Sequence, residues 1–260
     1  MLNLQKGFSY QAVICAVFRD EERYLKEWID YHEELGFEHF YLYNDYSKYE
    51  FIHVLAPYIE KGTVTLLHRS EVFPGDQGWF SIFQVNSYNH FLKHFGQETE
   101  WCAYIDIDEF IVPHTHTSII DFLQEFDEEP IGSIYAFWQC FGTSYIPSVP
   151  EGRILENLTL KAPENDPLHK IGKSIVKTKH QVGANSCHFA FLNPGYHQVT
   201  APISHIQINH YFCRDQDFFY NIRCQLRKNL AVFNNNTLNS DVEDRFNVIH
   251  DISIHRVIKK

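Results

Sequence analysis

No two of the six cysteines, Cys15, Cys102, Cys140, Cys187, Cys213 and Cys224, stand in a Cys-x-x-Cys pair, and their spacing makes no disulfide framework. Most lie in apolar runs, where a free thiol behaves as a small hydrophobe. A reduced, cytoplasmic protein is the expectation. Positive charge is scarce. Twenty-two Lys and Arg against 33 Asp and Glu leave a net charge of -11, which argues against nucleic-acid binding through a basic surface. No run approaches the ~20 apolar residues of a membrane span. Met1-Leu-Asn-Leu-Gln-Lys6 lacks the apolar core of a signal peptide, so no secretion is expected and any membrane contact is peripheral. A glycine-rich phosphate loop is missing, against P-loop and dinucleotide-binding classes. So is a Gly-x-Ser-x-Gly elbow, against α/β-hydrolases. There are no internal repeats or low-complexity tracts.

What remains is a folded chain of 260 residues, 44% hydrophobic and 16% aromatic, long enough for one sizeable core. Its first half alternates strand and helix patterns. Gln11 to Phe18 is a short apolar run suited to a strand buried on both faces. Leu25, Trp28, Ile29, His32 and Leu35 recur at helical spacing and Gly36 ends the stripe. Phe40 to Tyr43 reads as a strand, the stripe Phe51, Ile52, Leu55, Tyr58 and Ile59 as a helix closed by Gly62, and Thr63 to Leu67 as a third strand. Trp79 to Phe95 reads as a third helix, followed by a strand carrying Asp106. This order predicts an α/β fold with a mostly parallel sheet. Beyond it, Ile119 to Phe126 suggests a short helix, and Ile131 to Cys140, Lys173 to Lys177 and Ile203 to Tyr211 suggest strands. Residues 141–170 read as a long excursion. Asp215 is placed to cap a helix running to about Leu230. No linker demands two independent domains, so residues 1–260 are taken as one.

The segment from Trp101 to Pro113 carries the chemistry. Asp106 and Asp108 interrupt an apolar run at i and i+2, which in a strand places both carboxylates on one face. Two anions there are costly unless a positive charge sits between them. A hard divalent cation, Mg²⁺ or Mn²⁺, suits such oxygens and would hold a diphosphate. Asp20, Asp45, Asp106 and Asp108 all fall at predicted carboxyl ends of strands, where ligands of open α/β sheets bind. Gln84 and Asn89 are amides on the third helix, each readable as a ligand contact or as a core amide. Lys170 or Lys173, in His169-Lys170-Ile-Gly-Lys173, could neutralise a diphosphate. Among 16 histidines, His188 and His210 stand in apolar neighbourhoods and are candidates for a metal ligand or phosphate contact. His114 and His116 read as solvated.

Several segments resemble glycosyltransferase family 92 and related family 2-like enzymes. They are Phe18-Arg-Asp-Glu-Glu-Arg-Tyr-Leu-Lys-Glu-Trp-Ile-Asp-Tyr-His32, Leu35-Gly-Phe-Glu-His-Phe-Tyr-Leu-Tyr-Asn-Asp45 and Ala103-Tyr-Ile-Asp-Ile-Asp-Glu-Phe-Ile-Val-Pro113. Gly172-Lys-Ser-Ile-Val176, Cys187-His188 and Asn209-His-Tyr211 through Asp217-Phe218 follow in the family's order. The resemblance spans roughly residues 10 to 225. It implies a GT-A fold, with residues 10–113 binding a nucleotide-sugar, a UDP-sugar for preference, and residues 114–260 binding the acceptor. That acceptor would be a glycan, a lipid-linked saccharide or a protein. It further implies manganese or magnesium on the diphosphate, ligated by Asp106, Asp108 and a late histidine, His210. Donor contacts would come from Asp20, Asp45, Gln84, Asn89, Asp106, Lys173 and His188. Transfer would invert the anomeric carbon, with Asp217 or Asp166 as candidate base. Two loops depart from the family pattern: Arg19-Asp20-Glu21 stands for Lys-Asn-Glu, and Ser47 is followed by Lys48 rather than an acid. A metal-dependent phosphoesterase or nucleotidyltransferase, and an inactive sugar-binding module, are the alternative readings.

Overall fold

The structure is a computed structural model that describes residues 8–48, 50–127, 130–150, 153–224 and 240–258. Strand β1 (Tyr10–Phe18) is followed by α1 (Glu22–Leu35), β2 (His39–Asn44), α2 (Phe51–Lys61), β3 (Val64–His68) and a short α3 (Arg69–Val72). Then come α4 (Phe80–Phe95), β4 (Thr99–Tyr104), β5 (Glu109–Pro113), α5 (Ile119–Gln124) and β6 (Ile131–Cys140). The described part of the excursion after β6 holds α6 (Ile154–Asn157), β7 (Leu160–Lys161) and a 3-10 turn at Pro167–Lys170. The chain continues through β8 (Gly172–Lys177), β9 (Gln181–Ala184), β10 (Ala190–Leu192), β11 (His197–Thr200) and β12 (Ile206–His210). It closes with α7 (Gln216–Phe218), a helix over Ser240–Phe246, β13 (Ile249–His250) and a last helical turn at His255–Ile258. The helix begun at Asp215 passes into a π turn at Phe219–Arg223, and the part expected beyond Cys224 lies outside the described residues.

Glycines end α1 and α2 as their positions suggest. Gly36 and Gly62 adopt φ of 107° and 80°, a region costly for any residue with a Cβ. The buried face of α1 comes from Leu25, Trp28, Ile29, His32 and Leu35, which are fully enclosed.

The central sheet runs β3-β2-β1-β4-β8-β6-β12-β5, with β11 beside β6. The first four strands are parallel, β8 is antiparallel to both β4 and β6, and β12 is parallel to β6 but antiparallel to β5. The α/β class is as expected, and one sheet crosses both halves of the chain. Strand β5 ends the sheet, four strand spacings from β4, which is ~19 Å in a flat sheet. Yet only residues 105–108 join the two. A turn that short cannot stretch so far, so the sheet curls back and brings β5 toward β4.

The exposed edge of β5 is closed by α1. The Trp28 indole N–H donates to the Glu109 carbonyl at 2.9 Å, the Tyr31 hydroxyl to the Ile111 carbonyl at 2.7 Å, and the Ile111 N–H to His32 Nε2 at 3.3 Å. Side chains thus satisfy an edge that another strand would otherwise seek. Burial holds His32 low, at about 3, so its ring is neutral and can accept.

The fold gathers one edge. Strands β1, β2, β4, β6 and β12 all finish there, while β5 and β8 begin there. Five non-glycine residues with left-handed backbone follow those strand ends: Asp20, Tyr46, Ser144, Tyr145 and Arg214, with φ from 51° to 57°. Such conformations persist only where surrounding contacts enforce them, and they concentrate at functional sites.

Candidate active site

Asp106 and Asp108 do not lie on a strand. They occupy the turn between β4 and β5, so strand alternation does not set their side chains, and the two carboxylates meet different partners. The turn is tied internally. The Asp106 N–H donates to Glu109 Oε2 at 2.9 Å and the Tyr211 N–H to the Asp108 carbonyl at 2.8 Å.

Each carboxylate meets protein cations. Lys173, fully buried at the start of β8, places Nζ 2.7 Å from Asp106 Oδ2 and 3.5 Å from Glu109 Oε2. The Gln84 amide donates to the other Asp106 oxygen and, at 3.0 Å, to the Tyr88 hydroxyl. Gln84 therefore positions Asp106 instead of facing a ligand, a role neither of its sequence readings contained. Asp108 Oδ2 accepts from Arg223 Nη2 at 2.9 Å, and Asp108 Oδ1 lies 3.6 Å from His210 Nε2. Behind them, Arg214 Nη2 donates to Glu21 Oε2 at 2.6 Å and its guanidinium stacks 3.7 Å from the Tyr24 ring.

Eight charged groups thus interleave. The acids Glu21, Asp106, Asp108 and Glu109 come from the first half. The cations Lys173, His210, Arg214 and Arg223 come from the second. Burial would push the Asp108 carboxyl up, but His210, Arg223 and Arg214 hold it far below the usual range. Burial would lower Lys173, and Asp106 and Glu109 keep it charged instead. Glu21 and Glu109 go the other way. Burial drives each to about 7, against the pull of Arg214 on one and Lys173 on the other. His210 is raised to about 10, because Asp108 outweighs its desolvation. The ordinary histidine titration near ~6.5 is therefore displaced upward at this residue.

Among the described residues no three Asp, Glu, His or Cys side chains converge where they could share a metal ion. Of the expected trio of Asp106, Asp108 and His210, Asp106 is engaged by Lys173 and Gln84. Asp108 and His210 do fit a cation. Neighbouring ligands of an octahedral ion with ~2.1 Å bonds stand ~3 Å apart, close to the 3.6 Å found. One carboxylate oxygen and one imidazole nitrogen, once the ion displaces the proton that Asp108 otherwise holds on His210, would with diphosphate oxygens and water form an acceptable donor set for Mg²⁺ or Mn²⁺.

The other sequence candidates divide. Asp45 is fully buried and its carboxylate is taken by Arg19 and by Arg69 Nη1, the latter at 2.7 Å. In this structure it sets the two arginines. Arg69 also reaches Asp76 at 3.0 Å and the Gly78 carbonyl at 2.8 Å. Asp20 joins the first two loops: its N–H donates to Ser47 Oγ at 2.8 Å and Oδ1 accepts from the Lys48 N–H at 3.0 Å. Asn89 is spent on the backbone of Ala184, with bonds of 2.8 and 2.9 Å, and so fixes β9 to α4 instead of binding a donor. His188 donates Nδ1–H to the Gly172 carbonyl at 2.9 Å and stays half-buried beside Trp138.

Asp166 caps the turn at Leu168 and gives both oxygens to Arg245, which, against the effect of its burial, holds its carboxyl low. A carboxylate so engaged is a poor base, and that candidacy is withdrawn. Asp217 lies exposed in the first turn of α7 and accepts from Asn221 at 2.7 Å. Asp215 caps α7 through the Phe218 N–H, as expected.

Arg19, Glu21, Arg69, Glu109, Arg214 and Arg223 were not singled out from sequence. Glu21 and Glu109 adjoin named acids and could have been. The four arginines carry no local signal. Five of the six cysteines, Cys15, Cys102, Cys140, Cys213 and Cys224, are buried, and Cys187 is half-buried. Among the described residues no helix is long and apolar enough to cross a membrane.

Comparison with known proteins gives one family. Residues 10–250 match the model of glycosyltransferase family 92. A family 92 protein of Ricinus communis is 26% identical over 208 residues, covering 78% of this chain and 35% of the relative. One of Oryza sativa subsp. japonica is 24% identical over 222 residues, covering 78% and 33%. The chain thus spans about a third of these relatives' length. Among solved structures, residues 1–349 of S. aureus TarS align over 90% of this chain and 68% of that one, with TM-score 0.47 and 13% identity. Glucosyl-3-phosphoglycerate synthase from Mycobacterium tuberculosis, in complex with Mn²⁺, UDP and glucosyl-3-phosphoglycerate, aligns over 66% and 58%, with TM-score 0.39 and 12% identity.

Proposed function

The chain belongs to glycosyltransferase family 92, and from that premise we propose that it carries a GT-A glycosyltransferase site. It moves a sugar from a nucleotide-sugar, a UDP-sugar, to a hydroxyl of a glycan, lipid-linked saccharide or protein, with inversion and with manganese or magnesium at the diphosphate. Residues 10–113 form the donor half and 114–260 the acceptor half. The observation that supports this reading is the meeting of four acids from one half with four cations from the other, at the sheet edge where open α/β sheets bind ligands.

In this reading Asp108 and His210 hold the cation. A cation there supplies positive charge to the departing diphosphate. The chain's own residues do the rest. Lys173, charged and fully buried, fixes Asp106 together with Gln84 and adds a permanent positive charge beside the leaving group. The Tyr211 N–H locks the β12 loop onto the Asp108 turn, so His210 is delivered to a set position. Inversion needs a carboxylate to take the acceptor proton as the hydroxyl attacks. Of the two sequence candidates only Asp217 keeps an exposed carboxylate. A phosphoesterase would want a second metal, or more convergent acids than the described residues offer.

The test is hydrolysis of a panel of nucleotide sugars with and without manganese. Slow, manganese-dependent donor hydrolysis is expected, lost in Asp108→Ala. Asp217→Asn should keep UDP binding but lose transfer once an acceptor is found. Turnover of simple phosphate esters in place of nucleotide sugars would make the protein a phosphoesterase, and nucleotide-sugar binding with no turnover would make it a recognition module.

A further inference from the structure

We propose that Arg223 is a diphosphate ligand held in reserve, parked on Asp108 until the donor arrives and then transferred to the diphosphate while Asp108 turns to the cation. The inference rests on the nucleotide-sugar reading above.

Of the four cations at the site, three are fixed. Lys173 is fully buried between Asp106 and Glu109. Arg214 is fully buried, stacked on Tyr24 and bonded to Glu21. His210 lies against Trp138, ring centroids 4.4 Å apart. Arg223 is the most exposed of the four. Its side chain is 22% exposed and, among the described residues, hydrogen-bonds to one acceptor, Asp108 Oδ2, through a single Nη. The guanidinium otherwise rests on Phe212, 4.6 Å from the ring centre. Its Nε is buried with no acceptor among the described residues. An N–H left unmet in the interior is a destabilising feature, so this position favours departure once a better acceptor is near. A guanidinium offers a planar fork of five donors that matches phosphate oxygens two at a time. Asp108 occupies a fraction of that capacity.

The backbone suits such a role. Arg223 closes the π turn Phe219–Arg223, a wider helical turn that is rare and frequent at functional sites. Electrostatics supplies the trigger. A divalent ion held by Asp108 and His210 would repel a guanidinium bonded to the same carboxylate. The diphosphate brought with it carries the negative charge that Arg223 then lacks. The exchange removes one like-charge contact and creates a charge-assisted pair.

A merely structural counter-ion for Asp108 predicts something else, and two titrations of the full chain separate the two. With Mn²⁺ alone, Arg223→Gln should bind the ion several-fold more tightly than wild type, because Asp108 has lost its competitor. With saturating Mn²⁺, the same variant should bind UDP and inorganic pyrophosphate roughly tenfold more weakly or worse, the loss of a charge-assisted hydrogen bond. Arg223→Lys keeps the charge but loses the fork, and should fall between. It also serves if the glutamine variant fails to fold, since it too should weaken pyrophosphate. Unchanged pyrophosphate affinity in a folded variant, or weakened Mn²⁺ binding, overturns the role of Arg223. A wild-type chain that binds neither UDP nor pyrophosphate overturns the nucleotide-sugar reading itself, and the inference with it.

Discussion

Lys173 is the side chain on which the acid cluster depends most. It is fully buried, and its ammonium faces Asp106 at 2.7 Å and Glu109 at 3.5 Å. Glu109 is fully buried as well, and its Oε1 already lacks a partner. Lys173→Met keeps the length of the side chain and deletes the charge. Asp106, with 31% of its side chain exposed, can recover water, whereas Glu109 cannot. Breaking a buried pair from one side costs about 3–5 kcal/mol. For a chain of this size each kcal/mol lowers Tm by about 2–4 °C, so Lys173→Met should melt at least ~6 °C below wild type at neutral pH. If an uncompensated Glu109 is the cause, Glu109→Gln in the same chain should recover much of the loss. Glu109→Gln alone should cost less than Lys173→Met. Thermal unfolding of wild type, both single variants and the double variant closes the cycle and isolates the pair. A Lys173→Met protein melting within 2 °C of wild type, or a double variant no more stable than Lys173→Met, refutes the reasoning.

Two further outcomes follow from ion pairs. Asp45→Ala should destabilise by about 3–5 kcal/mol, because it leaves the buried Arg69 without its nearest counter-ion; a variant that unfolds like wild type in urea but binds UDP weakly would restore the nucleoside contact read from sequence. Asp251 is largely buried, yet the Ser253 N–H and hydroxyl and the Lys161 ammonium, 3.0 Å away, outweigh its desolvation and hold it at about 2. Its folded value is depressed, so its contribution is present above the unfolded value near 4 and is lost as pH falls from about 4 through about 2. Asp251→Asn should therefore cost about 2 kcal/mol at pH 6 and little near pH 2, and an equal cost at both would assign the effect to packing.

The elements were legible because their signals are local. A strand shows in a short apolar run, as at Tyr10–Phe18. A helix shows in a 3.6-residue stripe and its glycine stop, as at Glu22–Leu35 and Gly36. The site's acids were visible for the same reason, since carboxylates in an apolar segment or just past a strand are conspicuous. Even there, a local rule misled. Strand alternation was carried through residues 105–108, where the chain turns to start β5 and the two carboxylates take different partners.

Only the tertiary structure decided what those acids meet. Lys173 reaches Asp106 across 67 residues, Arg223 reaches Asp108 across 115 and Arg214 reaches Glu21 across 193. No periodicity relates positions so far apart. Their pairing depends on β8 entering the sheet antiparallel between β4 and β6, and on the curl that returns β5 and β12 to the edge where β4 ends. The same closure decides which polar groups remain available. It encloses Asp45, engages Asn89 and Asp166, and leaves the pair Asp108 and His210 facing each other. Residue types and their order set the elements and supplied the acids, whereas charge compensation in a low-dielectric interior is a property of distances, and those exist only once the sheet has closed.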